Sequence, residues 1–192
     1  MESGSEGEIL RRCLAGDEHA YRELVERYQR QVFSLARRML GSTEDAEDLT
    51  QETFVQAFRG LESYRGLSSF STWLYRIAIN CCRSRLRRRE AATVPLDQVD
   101  IGSDGQQVQA DLRRLLEEAI VRLPDGCREV FILYDVQGLG HGEIADIVGC
   151  SESTARSQLW KARGKLRDMI GPLLKSESYE VSGLEQETAE PA

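Results

Sequence analysis

Proline is scarce in this chain, with four in 192 residues, and alternating runs of β-branched and polar residues are nearly absent. Those two gaps exclude a sheet-built fold and leave an all-α one. No run of about 18 apolar residues is present, so no membrane insertion is expected. The opening residues, "MESGSEGEILRR", carry acids where a secretory signal has a basic start and an apolar stretch. A cytoplasmic protein is expected. Five cysteines, at 13, 81, 82, 127 and 150, form no CxxC, and His19 and His141 complete no zinc spacing. Neither metal nor cofactor is expected, and the thiols read as small, reduced core residues.

Positive charge is also in short supply. The formal net charge is −7 and the pI is near 5.1. Yet "RIAINCCRSRLRRRE", Arg76 to Glu90, holds six arginines and ends on its only acid. Such a concentration in an acidic chain calls for an explanation.

With 41% apolar residues the chain can bury a core, and its length suits one large or two small domains. Steps of three and four predict a helix from Glu18 to Leu40, stopped by Gly41. Ser42 or Thr43 caps a second helix with acids in its first turn, and its apolar stripe is Ala46, Leu49, Thr53, Phe54, Ala57, Phe58 and Leu61. A third helix runs from about Phe70 to Arg89. The stretch "EAATVPLDQVDIGSDGQQVQ" has three aspartates and no base, and reads as a flexible linker. The expected division is 1–90, a linker over 91–110, a second domain over 111–172, and an acidic, disordered tail over 173–192. In the second domain Leu112, Leu115, Leu116, Ala119, Ile120 and Leu123 make one apolar face, and "CREVFILYDV" another helix. A short helix, "GEIADIV", ends at Gly149, and Ser151 caps a longer one.

Three surfaces are candidates for function. On the 70–89 helix, Phe70, Leu74, Ile77 and Cys81 form the buried stripe. Trp73, Arg76, Asn80, Arg83 and Arg87 line a different face. An aromatic, an amide and guanidiniums in one line suit single-stranded nucleic acid, although a solvated basic face with a core tryptophan has the same pattern. From Gly142 to Ile170 the short helix, glycine turn and capped helix make a helix-turn-helix pattern. Its longer helix buries Ala155, Leu159, Ala162 and Leu166, with Met169 or Ile170, and turns Ser153, Arg156, Ser157, Trp160, Lys161 and Gly164 outward. Arg163 adds to its phosphate-seeking charge. Third, Glu44, Asp45, Glu47, Asp48 and Glu52 crowd one helix start. Helix-dipole stabilisation explains the first turn, at about 0.3–1 kcal/mol per acid, but not Asp48, Gln51 and Glu52 further along. A Mg²⁺ site of a helical nucleotide hydrolase needs a second acidic pair nearby. Glu62 and Glu90 stand too far apart for that. A protein-docking face remains.

Taken together, the segments from about Asp17 to Ile170 resemble a bacterial RNA polymerase sigma factor of the extracytoplasmic-function (ECF) type, in group IV of the sigma-70 family. "DAEDLTQETFVQAF" is similar to the helix that docks on the β′ clamp helices of core RNA polymerase, which implies that role for Asp48, Gln51 and Glu52. "FSTWLYRIAINCCRSRLRRR" is similar to the part of region 2 that opens and reads the −10 promoter element. The resemblance implies that the loop of Tyr64, Arg65, Ser68 and Ser69 captures a flipped base beside Asn80, with Trp73, Arg76, Arg83 and Arg87 on the same DNA. "LPDGCREVFILYDVQGLGHGEIADIVGCSESTARSQLWKARGKLR" is similar to region 4. That implies contact with the β flap and −35 duplex binding through Ser153, Arg156, Ser157, Trp160, Lys161 and Arg163. An anti-sigma partner and a linker that threads toward the polymerase active-site cleft are further implications. Ser84 replaces a frequent aspartate, "GLGHGEIA" a commoner "GLSYEEIA", and Gln158 a usual arginine. A stand-alone helix-turn-helix regulator is the alternative.

Overall fold

The computed structural model describes the backbone of residues 5–91 and 107–184, and the side chains of 5–91 and 112–172. Most of the expected linker therefore lies outside the described residues. Among the described residues eight α-helices carry the fold: α1 (Glu6–Leu14), α2 (Glu18–Leu40), α3 (Thr43–Gly60), α4 (Phe70–Ala91), α5 (Gln107–Val121), α6 (Asp125–Phe131), α7 (His141–Val148) and α8 (Glu152–Leu184). The all-α expectation holds.

Local chemistry sets the boundaries. The Asp17 carboxylate accepts from the amides of His19 and Ala20 at 2.9 and 3.3 Å and starts α2. Gly41 ends α2 in the left-handed region, φ +75°, its amide on the Arg37 carbonyl at 2.9 Å. Ser42 caps α3 by accepting from the Asp45 amide at 3.2 Å, and Ser151 caps α8 through the Thr154 amide at 3.1 Å. Gly149, φ +79°, closes the helix-turn-helix turn between α7 and α8.

The structure departs from the sequence reading in several places. Helix α1 was not expected; Ile9, Leu10 and Cys13 bury it against α2, too short an apolar pattern to show by itself. Helix α5 starts at Gln107, inside the stretch read as linker, because the last breaker is Gly105. Of the apolar face expected there, Ala119, Ile120 and Leu123 are buried, Leu115 is half-buried, and Leu112 and Leu116 are exposed. "CREVFILYDV" is α6 followed by a widened π turn over Ile132–Val136. Helix α8 passes through Pro172 to Leu184, so the segment expected to be a disordered tail begins as helix. A proline removes one backbone donor and need not end a helix whose other bonds survive.

Helices α1–α4 form one unit and α5–α8 a second. The two are packed together rather than held apart: α7 lies on α4, α5 on α2, and one apolar cluster runs through both. Helix α4 consequently buries two faces. Phe70, Leu74 and Cys81 point into the first unit as expected, with Ile77 half-buried. Thr72, Ile79 and Cys82 are also buried. A single amphipathic stripe predicted from sequence misses this second contact.

Candidate nucleic-acid interface

Helix α4 divides the expected stripe. Arg76, Asn80 and Arg87 are exposed, and Trp73 is half-buried on the same open side. Trp73 rests in an aromatic cluster, with ring centroids 5.4 Å from Tyr64 and 5.6 Å from Phe70. The cluster anchors the loop before α4. The Tyr64 hydroxyl donates to the Ser68 carbonyl at 2.7 Å and closes the loop into a ring, while Ser69 caps α4 through the Thr72 amide at 3.1 Å. Arg65 and Ser69 are left facing solvent, and Ser68 half so. Leu67 stands at the loop tip with 90% of its surface exposed. Sequence reasoning passed over it, since a lone leucine in a loop carries no periodic signal.

The six arginines of Arg76–Glu90 do not act as one patch. Arg83 leaves the stripe and grips Glu129 of α6 through two hydrogen bonds of 2.6 Å, with a third to the Val148 carbonyl at 3.1 Å. That carboxylate holds the Arg83 guanidinium above its ordinary range, against the opposing effect of burial. Arg85 lies 3.4 Å from Asp45 and 3.6 Å from Asp48, and Arg89 also pairs with Asp45. Where a metal site would need a second pair of acids beside α3, the neighbouring helix supplies arginines. Asp48 and Gln51 nonetheless remain exposed and Glu52 half-buried, the latter accepting from the Gln56 amide at 3.1 Å. Of the three, Gln51 also lines a groove of about 350 Å³ between α2 and α3, with Gln29, Arg30, Phe33, Glu47 and Thr50.

In the second unit α8 packs on α6 and α7 through Ala155, Leu159, Ala162 and Leu166. Ser153, Arg156, Ser157, Trp160 and Lys161 are exposed, Trp160 by 78%. Arg156 pairs with Glu152 one turn back at 2.9 Å. Arg163 behaves differently. It grips Asp135 at 3.0 and 2.5 Å and sits over the Tyr134 ring at 5.4 Å. Tyr134 in turn stacks on His141, centroids 4.6 Å apart. Arg163 therefore braces the helix-turn-helix from outside, a role its place in a basic run did not suggest.

Residues 24–92 match the profile of Sigma-70 region 2, and residues 113–166 match that of Sigma-70, region 4. The ECF RNA polymerase sigma-E factor of Haemophilus influenzae is 32% identical over 181 residues, covering 86% of this chain and 95% of that protein. The ECF RNA polymerase sigma factor SigM of Mycobacterium tuberculosis is 35% identical over 170 residues, 88% of this chain and 86% of that one. The chain belongs to the ECF RNA polymerase sigma factor family. This sigma factor also resembles CnrH, solved in complex with the cytosolic domain of CnrY. The TM-score is 0.67 at 26% identity, over 85% of this chain and 96% of CnrH. The region 2 match takes in most of α2 and all of α3 and α4, and so both the α3 face and the open side of α4. The region 4 match covers most of α5 and the helix-turn-helix up to Leu166. Helix α1 lies outside both.

Proposed function

We propose that this sigma factor binds core RNA polymerase through the α3 face of Asp48, Gln51 and Glu52. It opens and reads the −10 element with the 64–69 loop and α4, and binds −35 duplex with α8. The observation that carries this reading is the division of α4: its apolar residues are spent on packing, while Trp73, Arg76, Asn80 and Arg87 stay together on one open side. Bases stack on aromatics at roughly 1–3 kcal/mol each, and guanidiniums take the phosphates. Captured bases thus offset part of the cost of opening the duplex. No bond is made or broken by the sigma factor; its contribution is binding energy, and phosphodiester synthesis belongs to the polymerase. The setting is the cytoplasm, where polymerase and promoter are. On α8, Arg156, Ser157, Trp160 and Lys161 face the −35 groove, with Ser153 at the helix start. The likeness to CnrH, solved with the cytosolic domain of CnrY, supports an anti-sigma partner.

The test is to mix the protein with bacterial core polymerase, fractionate by size, and run transcription on a promoter library. Co-elution with promoter-selective transcripts is expected, and substituting Asp48 and Gln51 together by lysine should abolish both. No complex with core, beside tight binding to duplex by the protein alone, would instead favour the stand-alone regulator.

A further inference from the structure

The packing of the two units conflicts with the task assigned to them. The −10 and −35 elements lie about 25 base pairs apart, on the order of 80 Å of duplex. A compact globule of 192 residues has a radius of gyration of about 16 Å and a width near 40 Å. With α7 seated on α4, the −10 and −35 surfaces cannot reach both elements at once. The chain is long enough to part them: the sixteen steps from Ala91 to Gln107 reach up to about 55 Å.

The contacts between the units combine the shared apolar cluster with a set of polar contacts, the kind that can exchange for water or phosphate. Arg83 and Glu129 form the bidentate pair, with Glu129 3% exposed. Thr72 donates to Glu143 at 2.8 Å, and Arg38 pairs with Glu117 at 2.6 Å. Arg128 reaches from α6 to the Met39 carbonyl at 2.9 Å, while its Nε is buried without a partner. Glu129 presents two oxygens to Arg83 in the fork geometry that a phosphate would offer.

We propose that the Arg83–Glu129 pair is a latch on a closed state of this sigma factor, in which Glu129 occupies the guanidinium that DNA phosphate takes once the units separate. The latch withholds span more than surface, since Arg76, Asn80, Arg156 and Trp160 stay exposed while closed. It rests on the sigma reading for the span the units must cover and for what Arg83 is released to bind.

Two variants separate the latch from simple damage. Glu129→Ala and Arg83→Ala cut the same pair, so both should expand relative to the parent protein in small-angle X-ray scattering, by several ångströms in radius of gyration. Their effects on a mixed-sequence 20-nucleotide single strand should be opposite. Glu129→Ala frees one phosphate contact, so its binding tightens several-fold and the slope of log K against log salt steepens by about 0.7. Arg83→Ala binds more weakly. Circular dichroism checks the helices, and if Glu129→Ala fails to fold, Arg83→Ala, at a half-buried rather than a buried position, still carries the scattering test. A parent protein as extended as the variants, variants that stay compact, or a folded Glu129→Ala that binds no tighter would each overturn the latch. Co-elution of the parent protein with core polymerase reports separately on the sigma reading.

Discussion

Four of the five cysteines, Cys13, Cys81, Cys82 and Cys127, are buried, and burial raises the pKa of each thiol above its ordinary value. Thiolate is the reactive form, so these four should be slow toward a disulfide reagent at pH 8. Cys150 is half-exposed. Native protein is expected to release one equivalent of chromophore quickly, and all five only in denaturant; two or more fast equivalents would contradict the placement. The same shifts bear on stability. A folded-state pKa above the unfolded thiol value of about 8.5 means that the unfolded chain loses its protons first. Stability from these thiols is thus complete below that pH and declines as pH rises past it. The lack of metal-ligand spacing was legible in sequence. Which single cysteine faces water was not, because exposure depends on which helix covers which.

At the scale of one helix, α8 shows what a run of basic residues conceals. Arg156 and Arg163 look equivalent in sequence, yet Arg156 is exposed and pairs within its own helix with Glu152, while Arg163 is fixed to Asp135 and Tyr134 of another element. Arg156→Ala should therefore cost about 1–3 kcal/mol of −35 duplex binding and leave thermal stability nearly unchanged. Arg163→Ala should lower the melting temperature, by less than about 1 kcal/mol of stability because the pair is half in solvent. Duplex binding by holoenzyme and thermal melting of each variant distinguish them, and equal losses of binding would refute the contrast. Helix boundaries were largely readable: Asp17, Gly41, Ser42 and Ser151 do what their chemistry dictates. Helix α1 was not, since three apolar residues in nine carry little periodicity. Nor were the partners of Arg83, Arg85 and Arg89. Pairing across 37 to 46 residues leaves no mark in local composition.

For the whole molecule, the sequence describes two bodies on a tether, and the structure joins them through a shared core and a polar seam. Arg128 tests how tightly. Its guanidinium satisfies the Met39 carbonyl in one unit and the Leu123 carbonyl in the other, and burial lowers its pKa while Asp125 and Glu129 oppose that. Arg128→Ala should destabilise the protein by about 1–3 kcal/mol through the acceptors it abandons. It should also split one thermal transition into two, seen by calorimetry, as the units lose their coupling; a single unchanged transition would show that the seam contributes little. The seam has a further consequence during synthesis. Arg83 leaves the ribosome 46 residues before Glu129, an interval of about 2–9 seconds at bacterial rates of elongation. The helices of the first unit pack mostly with near neighbours in the chain, and such contacts form in well under a second. Every newborn molecule thus passes through an interval with α4 folded and its arginine still unclaimed, before the half of the chain that will restrain it has been made.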